Sequence, residues 1–469
     1  NMGCRFESYL IHTLQGNTEA AAAAKAEMKS LMRGAVHSYL EYAIDYASAG
    51  MYEEATQLLS FVTEENEATY PMVYYALGYF ASKMGKKDEA VALYKKAETM
   101  CPNYCFPNKL EEVLMLNDAM LLNPEGAKAP YYLGNFHYAA RIYDEAIACW
   151  EKSASIDDTY PTVLRNLSLA YYNKQHNPQK ALATLEKAYN LDTTDARILM
   201  ELDQLYKKLR YPHRQRLDFL EAHADVVEQR DDLCIERITL YNQLGEYQKA
   251  YDLINSRKFH PWEGGEGKVT SQYLLCRVEL AKIAIREGRF ADAVRLLKET
   301  EKYPDNLGEG KLSMAEENDI HYWMGCAYEG LGEEALAKEY FTKATKGSAE
   351  PAIAFFYNDQ QPDKIFYQGL AWRKLGEEDK ARSRFNRLIK HGEKHLFDKV
   401  KIDYFAVSLP DLLIWDDDLN VRNQIHCNLV MGMGYLGLGD KEQARKFLAE
   451  VARLDINHQA GKQLLEMCD

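Results

Sequence analysis

The stretch Tyr74-x-x-Leu77-Gly78-x-x-Ala81-x-x-x-Gly85-x-x-x-x-Ala90-x-x-x-Tyr94-x-x-Ala97-x-x-x-x-Pro102 decides how the rest of the chain reads. A bulky residue followed by Leu77-Gly78 three and four places later marks one helix face, because residues at those spacings are neighbours on a helix surface. Gly85 supplies the turn that ends this helix, and Ala90, Tyr94 and Ala97, four and three apart, mark the inner face of a second. Pro102 stops the second helix, having no backbone N–H to give. Gly78 and Ala90 are expected to face each other across the pair, their small side chains letting the two axes approach.

The same frame recurs on both sides. Ala43, Tyr46, Gly50, Ala55 and Leu59 precede it; Leu133, Gly134, Ala146 and Trp150 follow, then Leu167, Ser168, Tyr171, Ala181, Leu185 and Ala188, with one residue inserted near Asn177-Pro178. A weaker unit carries Leu199, Leu202 and Tyr206. Further units carry Tyr241, Gly245 and Ala250; Leu280, Gly288 and Ala293; Trp323, Gly325, Gly332 and Phe341; Gly369, Gly376 and Phe385; and Gly432, Gly439 and Leu448. The pattern resembles the tetratricopeptide repeat, a helix-turn-helix unit of about 34 residues with L-G in its first helix and A-x-x-x-F in its second. The resemblance implies an all-α, right-handed superhelical solenoid of about ten such repeats, preceded by capping helices in residues 1–35.

Unit starts fall at residues 36, 71, 127, 162, 196, 231, 274, 318, 362 and 425. From 36 to 254 the period is about 35 residues, apart from an extra 21 around Cys101 to Asn123. From 255 to 469 the steps lengthen, which marks a second stretch with longer loops. Two of these loops are copies: Phe259-His260-Pro261 leads to Gly265-Glu266-Gly267-Lys268, and Tyr303-Pro304 leads to Gly308-Glu309-Gly310-Lys311. They are not phosphate loops. Val269 and Leu312 stand where Ser or Thr is required, and Trp262 and Asp305 hold the place of the first glycine. They read either as glycine-hinged loops whose Glu and Lys pair or face water, or as a loop pair shaping a partner site.

Two later loops, around Phe355 to Asp363 and Asp403 to Asp418, set aromatic residues beside amides and carboxylates, a mixture that can grip a sugar or a peptide or pack on its own helices. The loop-binding candidates are Trp262, Glu309, Lys311, His321, Asn358, Asp359, Asp411 and His426. His321, His426 and Asp363 lie near first-helix starts and are expected to point to the concave side. With Glu316, Asp319 or Asp411 they could form a metal or catalytic set, but no spacing demands one; no catalytic residue, metal or cofactor is assigned. Asp418, the last of three consecutive aspartates, reads as a helix N-cap.

Residues 255–460 also resemble the C-terminal repeat half of large bacterial proteins. Asn306 to Lys311, His321-Tyr322-Trp323, Tyr357 to Gln360, Phe405 to Asp411 and Ile425-His426-Cys427 carry that resemblance. In that family a sheet-rich domain of unknown function, with a likeness to sugar-binding mutarotase-like folds, precedes the repeats. The resemblance implies a chain that is part of a longer protein, with that domain as a partner and carbohydrate as a possible ligand. Asn1 ahead of Met2 leads to the same expectation.

In this repeat class the first helices line a concave groove, through unit positions 2, 5, 9 and 12. The groove candidates are therefore Tyr75 and Tyr79 in one unit, Tyr131, Asn135 and Tyr138 in the next, and Asn166 and Asn173 in the one after. Tyrosine hydroxyls and asparagine amides suit an extended backbone. The acidic-tail clamp known in this repeat class is broken, with Tyr131 in place of a Lys and Leu167 in place of an Asn. The expectation is an open groove with no enclosed pocket.

The 469 residues carry 57 Lys+Arg against 71 Asp+Glu, a net charge of −14. No apolar run approaches the roughly 20 residues of a membrane span. No basic block offers the footprint of nucleic-acid binding, and the densest basic stretch, Arg210 to Arg216, reads as a solvated helix face. Nine cysteines without a CxxC pair point to a reducing, cytoplasmic setting. Gly3 after Met2 suggests a myristoylation start, but Glu7 holds the position where Ser or Thr is wanted. The expected function is a non-catalytic scaffold that binds a protein or peptide through its concave face and late loops; the alternative is the accessory half of a carbohydrate-binding or carbohydrate-processing protein.

Overall fold

The computed structural model describes residues 2–63, 70–262, 264–313, 315–352, 361–401 and 414–468. Among these residues all regular structure is helical. The chain divides into two compact units, residues 1–192 and 193–469.

Unit 1 stacks helix pairs Met2–Leu14 with Thr18–Met32, Val36–Ser48 with Tyr52–Thr63, Met72–Lys83 with Lys87–Thr99, Lys128–Ala139 with Tyr143–Ile156, and Pro161–Asn173 with Pro178–Leu191. Short connections force the two helices of each pair to run antiparallel. The extra residues after Cys101 form one more helix, Leu110–Leu122, which packs against Met72–Lys83 on one side and Lys128–Ala139 on the other. It takes the place of a first helix but has no second helix after it.

Unit 2 continues with Ala196–Lys208 and His213–Ala222, Asp231–Gln243 and Tyr247–Asn255, and Lys268–Arg286 and Phe290–Lys298. Asn318–Gly330 and Glu334–Ala344, Pro362–Lys374 and Glu378–His395, and Leu419–Leu438 and Lys441–Leu454 follow, and Gln459–Glu466 ends the unit.

The glycine of the first helix makes room for a side chain other than the one expected. A Cβ on Gly78 would enter the ring of Tyr94, not meet Ala90. The same relation joins Gly134 to Trp150, Gly325 to Phe341, Gly369 to Phe385 and Gly432 to Leu448, always sixteen residues apart. Each pair is thus locked by a large side chain of the second helix seated over a bare backbone position of the first. Ser168 replaces the glycine once, and its hydroxyl donates to the Ala181 carbonyl at 2.7 Å.

The basic stretch from Arg210 is a solvated face only in part: Arg210 and Arg214 are exposed, but Arg216 is not. Arg216 is fully buried: its Nε and Nη2 donate to Asp203 at 3.0 and 2.6 Å, and Nη2 also donates to Glu236 at 2.7 Å. Burial works against the Glu236 carboxylate, but Lys207 and Arg216 outweigh it and hold its pKa at about 2. Asn457, more than 240 residues further on, accepts from Arg216 Nη1 at 3.4 Å and from His213 Nε2 at 3.2 Å. Gln243 donates to the Asn457 carbonyl at 2.8 Å, Lys462 to the Gln243 carbonyl at 2.8 Å, and Arg210 to the Leu454 carbonyl. Trp415 is buried and donates its indole N–H to the Glu201 carbonyl at 3.0 Å, beside an ion pair of Lys208 with Asp417. The last helices of unit 2 therefore close onto its first.

Candidate functional site

In unit 1 the first helices bring part of the expected set together. Asn135 and Asn166, on neighbouring first helices, are half-buried and joined, Asn166 Nδ2 donating to Asn135 Oδ1 at 3.2 Å. The same oxygen accepts the Trp150 indole N–H at 3.1 Å. An indole nitrogen only donates, so the Asn135 amide is fixed with its oxygen toward Trp150. Tyr138 lies beside this pair, its ring 5.2 Å from Trp150 and 5.0 Å from Tyr143. Tyr79 and Asn173 are half-buried on the same layer.

Two expected groove residues belong to the core. Tyr75 is fully buried, donates to Glu98 at 2.8 Å and meets Tyr132 edge-on at 5.9 Å. Tyr131 is buried between the rings of Tyr132 and Tyr160, both centroids 5.2 Å away. The reason is that first helices also pack on one another, so unit position 5 is covered by the next first helix wherever both residues are aromatic.

In unit 2 the groove is partly covered, leaving half-open pockets rather than enclosed ones. The closing helix Gln459–Glu466 faces the first helices, and two adjoining cavities of about 350 and 240 Å³ remain. They share Asp363, Met433 and Ala460. Asp363 and His426 line the larger pocket, with Arg422 and His458. The His458 Nδ1 accepts the Gly461 N–H at 3.0 Å and burial lowers its pKa, so the ring is neutral with its proton on Nε2. Lys364 bridges Asp319 at 2.5 Å and Asp363 at 3.3 Å; burial would lower its pKa, but the two carboxylates raise it. His321 does not join this lining. It is half-buried near the Tyr340 ring, 6.1 Å away, and burial lowers its pKa. Among the described residues no three His, Cys, Asp or Glu side chains are grouped to hold a metal.

The duplicated loops grip each other. Glu309 accepts the Gly267 N–H with both carboxylate oxygens, at 3.1 and 3.0 Å, and so caps the N-terminus of Lys268–Arg286. The Phe259 N–H donates to the Asn306 carbonyl at 2.8 Å, and Asn306 Nδ2 donates to the carbonyls of Ile254 and Arg257. Lys311 pairs with Glu317 at 2.5 Å, and the Trp262 indole packs over Gly265. Glu309, Lys311 and Trp262 are thus committed inside the chain. His426 Nε2 lies 2.8 Å from the Ala352 carbonyl. Asn358, Asp359 and Asp411 lie outside the described residues. The turn at Asp455 to His458 and the buried Arg216 cluster escaped the sequence reading. The turn residues Asp455 and Asn457 were the available signal for the first, and nothing local marks the second.

Stacked antiparallel pairs with a Gly-to-aromatic lock define a helical-repeat protein. Family models of the tetratricopeptide repeat match residues 73–104 and 319–346, and a further one matches 365–391. The chain carries tetratricopeptide repeats over these residues. Among solved structures it is similar to Pseudomonas aeruginosa pilF, at 19% identity over 47% of this chain and 90% of that one, with a TM-score of 0.28. It is also similar to MamA from Desulfovibrio magneticus RS-1, at 17% identity over 42% and 97%, TM-score 0.24. A third is YrrB, described as a TPR protein with an unusual peptide-binding site, at 18% identity over 42% and 88%, TM-score 0.21. At these values none of them lends this chain a ligand. No helix among the described residues is long and apolar enough to cross a membrane.

Proposed function

We propose that this chain is a protein-interaction scaffold that holds an extended polypeptide segment along the first helices of unit 1. The Asn135 amide carries the reading. Its oxygen is taken by Trp150 and Asn166, while its NH2 group bonds to nothing else among the described residues. Two N–H donors are left for the carbonyl oxygens of a bound backbone, with Tyr79, Tyr138 and Asn173 on the same layer as further contacts. No observation favours carbohydrate: of the described loop candidates, Trp262, Glu309 and Lys311 are spent within the chain, His426 lies against the Ala352 carbonyl and His321 beside the Tyr340 ring. Nine free cysteines support a reducing, cytoplasmic setting.

The substitution Asn135→Asp tests the reading, because it keeps an acceptor for Trp150 and Asn166 and replaces the two donors with a charged acceptor that repels a backbone carbonyl. The probe is a random library of capped dodecapeptides, followed by titration of the peptides that bind. At about 1 kcal/mol for each of the two lost hydrogen bonds, the variant binds them roughly thirtyfold more weakly with unchanged thermal unfolding. Equal affinity of wild type and variant for those peptides, or no binding peptide at all, overturns it.

A further inference from the structure

The helix Leu110–Leu122 is the one first-layer helix of unit 1 that lacks an antiparallel second helix among the described residues. Its inner face is ordinary core, with Met115, Leu116 and Ala119 buried. Its outer face is apolar and bare: Leu110, Leu114 and Leu121 are 75%, 55% and 76% exposed. Tyr104 and Phe106, in the turn that leads into it, are 86% and 65% exposed. Single exposed leucines need no explanation, but a contiguous row on one helix face does.

The row has a definite spacing. Leu110, Leu114, Asn117 and Leu121 are four, three and four apart, the seam of a coiled coil with one polar position. Read backwards the spacing is the same, so the seam is its own complement under a two-fold axis. It carries no charge. The nearest acidic groups are Glu111, at its margin, and Asp118, which is occupied by Ser82 and Tyr94. Taking 150–250 Å² for each aromatic and scaling by exposure, the row and the turn offer roughly 500 Å² per copy, or roughly 1,000 Å² for a symmetric pair, the lower limit of a specific interface.

We propose that this face is a homodimer interface, in which a second copy supplies the second helix that Leu110–Leu122 lacks. The two helices run antiparallel, as every pair within the chain does. The axis passes between Leu114 and Asn117, so Leu110 meets Leu121 of the partner subunit and Leu114 meets Asn117 of the partner subunit. Each Asn117 donates from its amide to the Val113 carbonyl of its own helix at 2.9 Å, and so faces Leu114 of the partner subunit with one donor already satisfied. An interface of this size dissociates on the order of micromolar.

Sedimentation of the full chain between about 1 and 100 µM reads the association directly, the range being set by that affinity. A concentration-dependent dimer is expected, and Leu114→Glu with Leu121→Glu shifts its dissociation at least tenfold. Both side chains are exposed, so the far-ultraviolet circular dichroism of the variant stays that of the wild type. Register is tested in a background with Cys4 and Cys101 changed to Ser. There Leu114→Cys with Asn117→Cys forms an intermolecular disulfide on oxidation, whereas Leu114→Cys alone forms little. A monomer at all concentrations overturns the proposal. So does a dimer indifferent to the two glutamates.

Discussion

At the residue scale, glycine is used where a neighbour occupies the space of a side chain. Gly308 shows this most sharply. Its φ is +79°, and a Cβ would lie 2.7 Å from the Phe259 carbonyl oxygen, which cannot withdraw as a flexible side chain could. Gly308→Ala is therefore expected to cost about 2 kcal/mol or more, from left-handed backbone strain and loss of the loop-to-loop contact. Gly310, two residues on, has nothing within 4 Å, and Gly310→Ala should stay within about 0.5 kcal/mol. Urea unfolding of the two variants side by side checks the contrast; equal midpoints would remove the steric account. The duplicated Gly-Glu-Gly-Lys marks both glycines alike and does not tell which of them the fold requires. Glu309 was read as a surface or partner residue because a sequence does not reveal that one loop lies on the N-terminus of a helix 42 residues away.

At the element scale, the regular pairs were readable because each carries its own period: bulky, Leu-Gly, small, then Ala and aromatic. The N-cap at Asp418 was readable for the same local reason, its side chain accepting the Asn420 N–H at 2.8 Å. The inserted helix was not. Leu110 to Leu122 is apolar nearly all round, so no stripe separates an inner from an outer face. What fixes it in place is Asp118, which accepts from Tyr94 at 2.6 Å and Ser82 at 3.1 Å. Asp118→Ala leaves the Tyr94 hydroxyl without its acceptor and should cost about 1–3 kcal/mol. Amide exchange should rise over residues 110–122 more than over the Lys87–Thr99 helix. A uniform rise across unit 1 would mean that Asp118 supports the whole stack instead.

At the scale of the whole molecule, the second unit differs from an open repeat array because its ends are joined. The joint is a buried set of charges: Arg216 between Asp203 and Glu236, with Asn457 arriving from the far end of the unit. Arg216→Ala leaves two buried carboxylates short of their shared cation, at a cost of about 3–5 kcal/mol. Asn457→Ala removes the bridge and leaves the ion pairs, at about 1–2 kcal/mol. Chemical denaturation gives the order of the two, and a larger loss for Asn457→Ala would place the joint elsewhere. The sequence by itself determined the helix pairs, their number and their turns, since these rest on contacts within about 35 residues. Only the tertiary structure decided that Arg216 is buried, that the late loops brace one another, and that the last helix of unit 2 lines two half-open pockets with the first helices. Each of those depends on residues 40 to 250 positions apart meeting in space, and local periodicity carries no record of such meetings.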